Sequence, residues 1–303
     1  MNSKRATAFL LLSLLWGSSW LAVGTLAGQM PPFAAAAVRC GIAAAVLLAV
    51  ACIKGWKAPR GRALRSLLLL SLTLVVLPTV LLVWSARRAP EETSTILYGA
   101  LPLVVVLLSS VWNDKRGESA GALPQAALYA SLTGLGGLML ALWDARSFPD
   151  LPSGAAILLA VILTAASSIF AKEELKEVSP WMSSLVLFGV SALVFGLMSG
   201  ASEHDAVVSW NGRILGSLLY LGVFAGAAGF PLYFWLLKEL EARQVAAIEW
   251  IGPFVALMEG AVLWRQGLSW TMLAGLGIAL ASLKVLLRSR LEDDAILGIR
   301  GTL

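Results

Sequence analysis

The chain has 303 residues, of which 58% are hydrophobic and only 14% charged, and its mean hydropathy is +0.82. A soluble domain of this composition lacks the polar surface needed to cover itself, so these values exclude an ordinary soluble protein. Two cysteines and one histidine are too few for a disulfide framework or a zinc site, and we expect no metal and no cofactor.

Ten apolar stretches, each about long enough to cross a bilayer, follow one another along the chain. They predict an all-α membrane protein with ten transmembrane helices. The predicted spans of the first half are Thr7–Gly28, Pro32–Ile53, Ser66–Ala86, Thr93–Trp112 and Leu123–Trp143. Those of the second half are Ser153–Ala171, Pro180–Ser199, Gly212–Leu236, Gln244–Trp264 and Leu268–Leu287.

The second half of the chain repeats features of the first half in the same order. At an offset of 151 residues, Trp84 falls on Trp235 and Pro102 falls on Pro253. Because each half has an odd number of spans, the second half must enter the membrane in the opposite orientation. The sequence therefore predicts two inverted five-helix repeats, at residues 1–146 and 147–290, followed by a cytoplasmic tail at 291–303.

The distribution of basic residues gives the orientation, because Lys and Arg prefer cytoplasmic segments near span ends. With the N-terminus inside, 17 Lys and Arg residues fall in cytoplasmic segments and 5 fall outside, and Arg39 lies in the membrane. Both termini are therefore predicted to be cytoplasmic. The net charge of +5 reflects this membrane topology, and we expect the bilayer rather than nucleic acid as a partner.

Several short motifs point to a known family. The first span carries Trp-Gly-Ser-Ser-Trp at 16–20, and the second carries Phe-Ala-Ala-Ala-Ala-Val-Arg at 33–39. Leu-Pro-Leu at 101–103 and Gly-Pro-Phe at 252–254 precede long apolar tails. The chain resembles the drug/metabolite transporter superfamily, of the type with two EamA repeats, and within it the bacterial aromatic and neutral amino-acid exporters.

This resemblance implies a ten-helix carrier of the bacterial inner membrane with a substrate cavity between its two halves. Many family members end the fourth and ninth spans with an acidic residue after a Leu-Gly pair. Here the corresponding positions read Trp-Asn-Asp at 112–114 and Leu-Trp-Arg at 263–265.

Aromatic residues at mid-span positions are candidates for the wall of that cavity. Trp16 and Trp20 share one helix face, Tyr98 lies one turn before Pro102, and Trp250 comes shortly before Pro253. Aromatic side chains on facing helices can line a pocket for an apolar substrate group, and Ser19 would add a polar contact. Plain core packing explains the same pattern equally well.

The two mid-span prolines, Pro102 and Pro253, each remove a helical hydrogen bond and predict a kink. In lipid, such a break survives only where it faces protein or a water-filled cavity. Symmetry-related kinks could act as pivots for alternating access, or they could be static packing features.

Three ionisable residues fall within predicted spans, where charge is costly and often functional. Arg39 lies about one turn inside the second span and could also be purely structural. Glu249 and Glu259 both lie in the ninth span, but ten residues apart they face different directions, so at most one faces a central cavity. We favour Glu249, which corresponds to Tyr98 at the 151-residue offset.

The pattern as a whole favours a monomeric secondary carrier that exports amino acids by alternating access. An exporter or flippase of another small metabolite or of a lipid-linked substrate is the alternative, and a channel is a weaker one. An enzyme is not expected, because the chain has no G-x-S-x-G or H-E-x-x-H motif and its only histidine, His204, falls in a predicted outside loop.

Overall fold

The computed structural model describes residues 3–86, 88, 91–114, 125–143, 149–203, 208, 210–264 and 269–296, with the backbone alone at 91–93, 113–114, 256–257, 259–264 and 288–296. Every regular element in these ranges is helical. The helices before residue 150 are α1 Ser3–Gly17, α2 Ser19–Leu26, α3 Pro32–Lys54, α4 Arg62–Leu70, α5 Leu77–Ser85, α6 Glu91–Tyr98, α7 Leu101–Asp114 and α8 Gln125–Ala141. Those after it are α9 Leu151–Glu174, α10 Pro180–Ser202, α11 Gly212–Leu219, α12 Gly229–Glu239, α13 Ala242–Ala246, α14 Ile248–Trp264 and α15 Trp270–Ile296.

Eight helical stretches within the described ranges are long and apolar enough to cross a membrane. They are Ser3–Leu26, Pro32–Lys54, Arg62–Ser85, Ser94–Trp112, Leu151–Glu174, Pro180–Ser202, Gly212–Glu239 and Trp270–Leu287. The other two predicted spans contain α8 and α14, each of 17 residues. A helix of that length rises about 26 Å, somewhat less than the hydrocarbon core. The protein is thus an all-helical multi-span membrane protein.

Local sequence signals account for many helix ends. Pro32 and Pro180 occupy the first positions of α3 and α10, where a missing N–H costs nothing. The Asp150 carboxylate accepts the Ser153 N–H at the start of α9. At the other end of α3, Gly55 has φ +63°, a left-handed conformation that glycine adopts without strain and that stops the helix.

Two long helices are interrupted by π-helical segments, a feature that sequence reasoning missed. One segment, Ser71–Val76, joins α4 to α5, and the other, Tyr220–Ala228, joins α11 to α12. A π turn shifts the bonding pattern to i→i+5, and it is often found at functional sites. Each segment is followed closely by a proline, Pro78 or Pro231, which cannot donate a helical hydrogen bond.

The helices pack in pairs that bring the two halves of the chain together. Helix α3 packs along α10, and α8 packs along α15. Helix α9 contacts α5 and α7, while α1 contacts α12 and α14. The α8–α15 crossing is close because glycines face each other there: a Cβ atom on Gly137 would lie 2.7 Å from the carbonyl oxygen of Gly275. Small residues at such crossings allow the close packing that holds helices together in lipid.

Candidate functional site

A cavity of about 150 Å³ lies among helices of both halves. It is bounded by α1, the first π segment, α6, α7, α9, α12, α13 and α14. The lining residues are Trp16, Leu74, Tyr98, Leu101, Thr164, Ser168, Phe230, Tyr233, Val245, Ala246 and Glu249. Most of this wall is aromatic or aliphatic, with one carboxylate and four hydroxyl groups as its polar side chains.

The hydroxyl groups of the cavity are organised by one helix, α9. Thr164 and Ser168 are four residues apart and therefore share a face of that helix. The Tyr98 hydroxyl lies 2.9 Å from Thr164 Oγ1, and the Tyr233 hydroxyl lies 2.8 Å from Ser168 Oγ. Each tyrosine is thereby anchored from a different helix, Tyr98 from α6 and Tyr233 from α12, onto the same face of α9.

Trp16 is held in the cavity wall by the second π segment. Its indole N–H donates to the carbonyl oxygen of Ala225 at 3.2 Å. The indole ring also packs against Phe230 and Tyr233, with centroid distances of 5.3 and 5.4 Å. The altered bonding of the π segment thus supplies a carbonyl that fixes an aromatic side chain of another helix.

Glu249 is the acidic residue of the cavity and stands in the first turn of α14. Within the described part of the chain, its carboxylate has no hydrogen bond and no ion pair. Tyr98 and Tyr233 line the same cavity as this carboxylate. A partly buried carboxylate without a protein partner is costly, and it is available to a proton or to a cationic group of a ligand.

The structure separates the predicted cavity residues into two groups. Trp16, Tyr98 and Glu249 line the same cavity. Ser19 and Trp20 do not line it, and the Ser19 hydroxyl instead donates to the carbonyl of Trp16 at 2.6 Å across the break between α1 and α2.

Trp250 belongs to the packed interior rather than to the cavity wall. Only 1% of its surface is exposed, and its indole N–H donates to the carbonyl of Gly99 at 2.9 Å. The ring occupies the space beside Gly134, where a Cβ atom would lie 2.6 Å from Trp250 Cζ2. The glycine on α8 therefore makes room for this tryptophan, which joins α14 to α8 and to the turn between α6 and α7.

The prolines lie near helix breaks rather than at them. Pro102 is the second residue of α7, and the break before it falls at Gly99–Ala100. Pro253 lies within α14, and the preceding break falls at Ala247, between α13 and α14. These breaks place Tyr98 at the end of α6 and Glu249 at the start of α14.

Arg39 does not line the described cavity. Arg39 is partly buried on α3, and its carbonyl lies at the close crossing with Gly222 of the second π segment. The side chain of Glu259 and the whole of His204 lie outside the described residues. Among those that are described, no group of three or more His, Cys, Asp or Glu residues could hold a metal ion.

Eight cavity residues were missed by sequence reasoning. Four of them are polar or aromatic, Thr164, Ser168, Phe230 and Tyr233, and the other four are aliphatic, Leu74, Leu101, Val245 and Ala246. A signal for the first two exists, because a polar pair at i and i+4 in an apolar helix marks a buried polar face. For Phe230 and Tyr233 no comparable signal exists, since aromatic residues are common throughout the spans. Their role as cavity residues follows from the packing of α12 against α1 and α9.

The fold is a bundle of apolar, membrane-length helices with an amphipathic cavity among them. The EamA-like transporter family model matches the chain twice, at residues 4–120 and 152–288. The chain therefore belongs to the EamA-like transporter family, which confirms the family resemblance seen in the sequence. It is a transporter and not an enzyme.

Individual relatives agree with this assignment. Protein PagO of Salmonella typhimurium is 25% identical over 255 residues, covering 82% of this chain and 81% of PagO. The uncharacterized transporter YvbV of Bacillus subtilis is 25% identical, covering 98% of this chain and 96% of YvbV. A solved crystal structure has a TM-score of 0.79 at 18% identity, covering 94% of this chain and 98% of the other, and it supports the fold alone.

Proposed function

We propose that this protein is a secondary transporter that exports small amphipathic metabolites, amino acids foremost, across the bacterial inner membrane by alternating access. The observation that carries the proposal is the cavity, in which a carboxylate without a partner among the described residues stands with aromatic side chains contributed by both halves. Its volume of about 150 Å³ suits a small molecule, since an apolar cavity of that size can hold benzene. A large lipid-linked headgroup would not fit the cavity in this conformation.

Alternating access is supported by symmetry between the proposed repeats, residues 1–146 and 147–290, with 291–303 as a tail. The pairs α3–α10 and α8–α15 each join corresponding helices of the two halves. The two π segments also fall at corresponding places, 151 residues apart at Ser71 and Gly222. Inverted repeats that meet around a central site can rock against each other to expose the site to either side.

The orientation rests on the positive-inside asymmetry of the sequence, which places both termini in the cytoplasm. Single-cysteine labelling can test it after Cys40 and Cys52 are replaced by alanine. His204→Cys should react with an impermeant maleimide from the periplasmic side, and Lys57→Cys should react only from the cytoplasmic side. Reaction of His204→Cys from the cytoplasmic side alone would contradict the inverted-repeat topology.

Transport itself can be tested with the purified full-length protein in proteoliposomes. We expect saturable counterflow of labelled phenylalanine, and of a panel of neutral amino acids with smaller side chains, measured with and without a pH gradient. Tyr98→Ala should weaken transport of large apolar amino acids more than of small ones, because it removes part of the aromatic wall. No counterflow for any amino acid would exclude amino-acid transport.

Glu249 is proposed to carry a proton or to meet the ammonium group of the substrate. A carboxylate without a partner in the protein can bind a proton or a substrate ammonium group without first breaking an ion pair. Glu249→Gln should abolish any pH dependence of transport or sharply raise the substrate concentration needed for half-maximal transport. Glu177→Gln, at an exposed position, should do neither. Wild-type rates and pH dependence in Glu249→Gln would exclude both roles.

A further inference from the structure

We infer that the cavity selects organic cations, with an ammonium group on a small aromatic or alkyl body, over zwitterions and anions. This inference rests on the proposed carrier function. Among the small amphipathic metabolites proposed there, it ranks amines ahead of the zwitterionic amino acids. It follows from the arrangement of hydrogen-bond donors and acceptors in the cavity wall, considered together with its charge.

The hydroxyl protons of the cavity are largely committed to the protein. Ser168 Oγ donates its only proton to the carbonyl of Thr164 at 2.7 Å. In the 2.8 Å contact between Ser168 and Tyr233, the tyrosine must therefore be the donor. Tyr233 is then left with acceptor lone pairs alone. Tyr98 and Thr164 together have two hydroxyl protons, and one of these forms the hydrogen bond between the two side chains. One hydroxyl proton of this pair therefore remains available to a ligand.

The remaining polar groups of the wall add acceptors rather than donors. The Trp16 N–H is used by the carbonyl of Ala225. Glu249 contributes two carboxylate oxygens without a partner among the described residues. None of the eleven residues that line the cavity is Lys, Arg or His. A ligand therefore meets several acceptors, one negative charge and at most one hydroxyl donor.

This pattern suits an ammonium group, which has three donors, no acceptor and a positive charge. The faces of Trp16, Phe230, Tyr98 and Tyr233 add a favourable surface for a cation and for its apolar body. A zwitterion brings a carboxylate as well, and burying that group without donors costs free energy. An anion has no compensating contact and is repelled by Glu249.

Three ligands with the same aromatic ring can isolate the effect of charge: phenethylamine, phenylalanine and 3-phenylpropionate. Binding to the purified full-length protein in detergent is measured by isothermal titration calorimetry at neutral pH. We expect phenethylamine to bind at least about tenfold more tightly than phenylalanine, and 3-phenylpropionate to bind most weakly, because a charge-assisted contact is lost at each step.

Variants assign the selectivity to the cavity. Glu249→Gln should weaken phenethylamine binding about tenfold or more and reduce its advantage over phenylalanine. Tyr233→Phe, which removes one acceptor and keeps the ring, should weaken it several-fold. Tyr129→Phe is the matched control, because Tyr129 is 64% exposed on the outer surface of α8, and it should bind as the wild type does. Should Glu249→Gln fail to fold, Tyr233→Phe still tests the acceptor argument.

The outcomes separate this inference from the proposed function. Phenylalanine binding equal to or tighter than that of phenethylamine would overturn the cation preference, and so would the absence of binding by all three ligands. Counterflow of phenylalanine in proteoliposomes without any preference for the amine in binding leaves the amino-acid carrier standing and removes the inference. Amine-selective binding that is lost in Glu249→Gln, without counterflow of any amino acid, supports the inference and removes amino-acid export.

Discussion

The crossing of α8 and α15 should be highly sensitive to a single methyl group on Gly137. A Cβ atom at this position would lie 2.7 Å from the carbonyl oxygen of Gly275 and 2.8 Å from the backbone nitrogen of Ala279. Ordinary van der Waals contact begins at 3.4 Å, so the helices must separate by about 0.7 Å or shift along each other. Both obstructing atoms belong to a helix backbone and cannot rotate away.

We therefore expect Gly137→Ala to cost about 3 kcal/mol, the upper end of the usual range for overpacking. At roughly 2–4 °C per kcal/mol, the apparent unfolding midpoint should fall by about 6–12 °C. Intrinsic helix propensity acts in the opposite direction, because Ala is the better helix former by about 1 kcal/mol, so a loss of stability can only come from the crossing.

The adjacent residue provides a matched control, because a Cβ atom on Gly136 would meet nothing within 4 Å. The assay is thermal unfolding of the purified variants in detergent. Its readout is the fraction of protein that remains monodisperse on size-exclusion chromatography after heating. Gly136→Ala should unfold at or slightly above the wild-type temperature. Equal midpoints for Gly137→Ala and Gly136→Ala would refute the close-crossing argument.

Three further substitutions test other contacts. Trp250→Ala should destabilise the protein by about 3–5 kcal/mol and reduce transport of every substrate equally, since it empties a core position and removes the bond to Gly99. Glu203→Ala should cost about 0.5–2 kcal/mol, because that carboxylate accepts two backbone N–H groups in the first turn of α3 at 2.9 and 2.8 Å. Arg62→Ala should leave the unfolding midpoint unchanged, although Arg62 pairs with Glu174, because the Arg62 side chain is 84% exposed and water screens the pair.

The changes in stability are measured as shifts of the unfolding midpoint in detergent, and transport by Trp250→Ala is measured in proteoliposomes. Trp210→Ala is the control for loss of an exposed tryptophan. If Trp250→Ala lost transport of large substrates selectively and kept its stability, the Trp250 side chain would belong to the transport path. A midpoint unchanged in Glu203→Ala would show that water replaces the carboxylate at the start of α3. A large loss in Arg62→Ala would mean that the pair is shielded from solvent.

The class of protein and its family could be predicted from the sequence. Apolar stretches of membrane length dictate helices, because only a helix satisfies its own backbone hydrogen bonds in lipid. Glu249 could also be identified as a candidate from the sequence, because an acidic residue within an apolar stretch is costly in lipid and therefore conspicuous. Tyr98 was identified as a mid-span aromatic residue one turn before Pro102.

The partners of these residues depend on tertiary contacts that composition does not encode. Trp16 and Trp250 look alike in the sequence, as tryptophans in the middle of apolar helices. Trp16 lines the cavity because the π segment offers the Ala225 carbonyl to it, whereas Trp250 is buried because Gly134 leaves room for its ring. Neither relation has a local sequence signature.

The sequence by itself determined that this chain lies in a membrane as a set of apolar helices, and it singled out an acidic residue among them. Only the tertiary structure decided which polar and aromatic groups surround that residue. The physical reason is that hydrophobicity acts through each helix separately, whereas the cavity forms where helix breaks and π turns bring side chains of distant helices together.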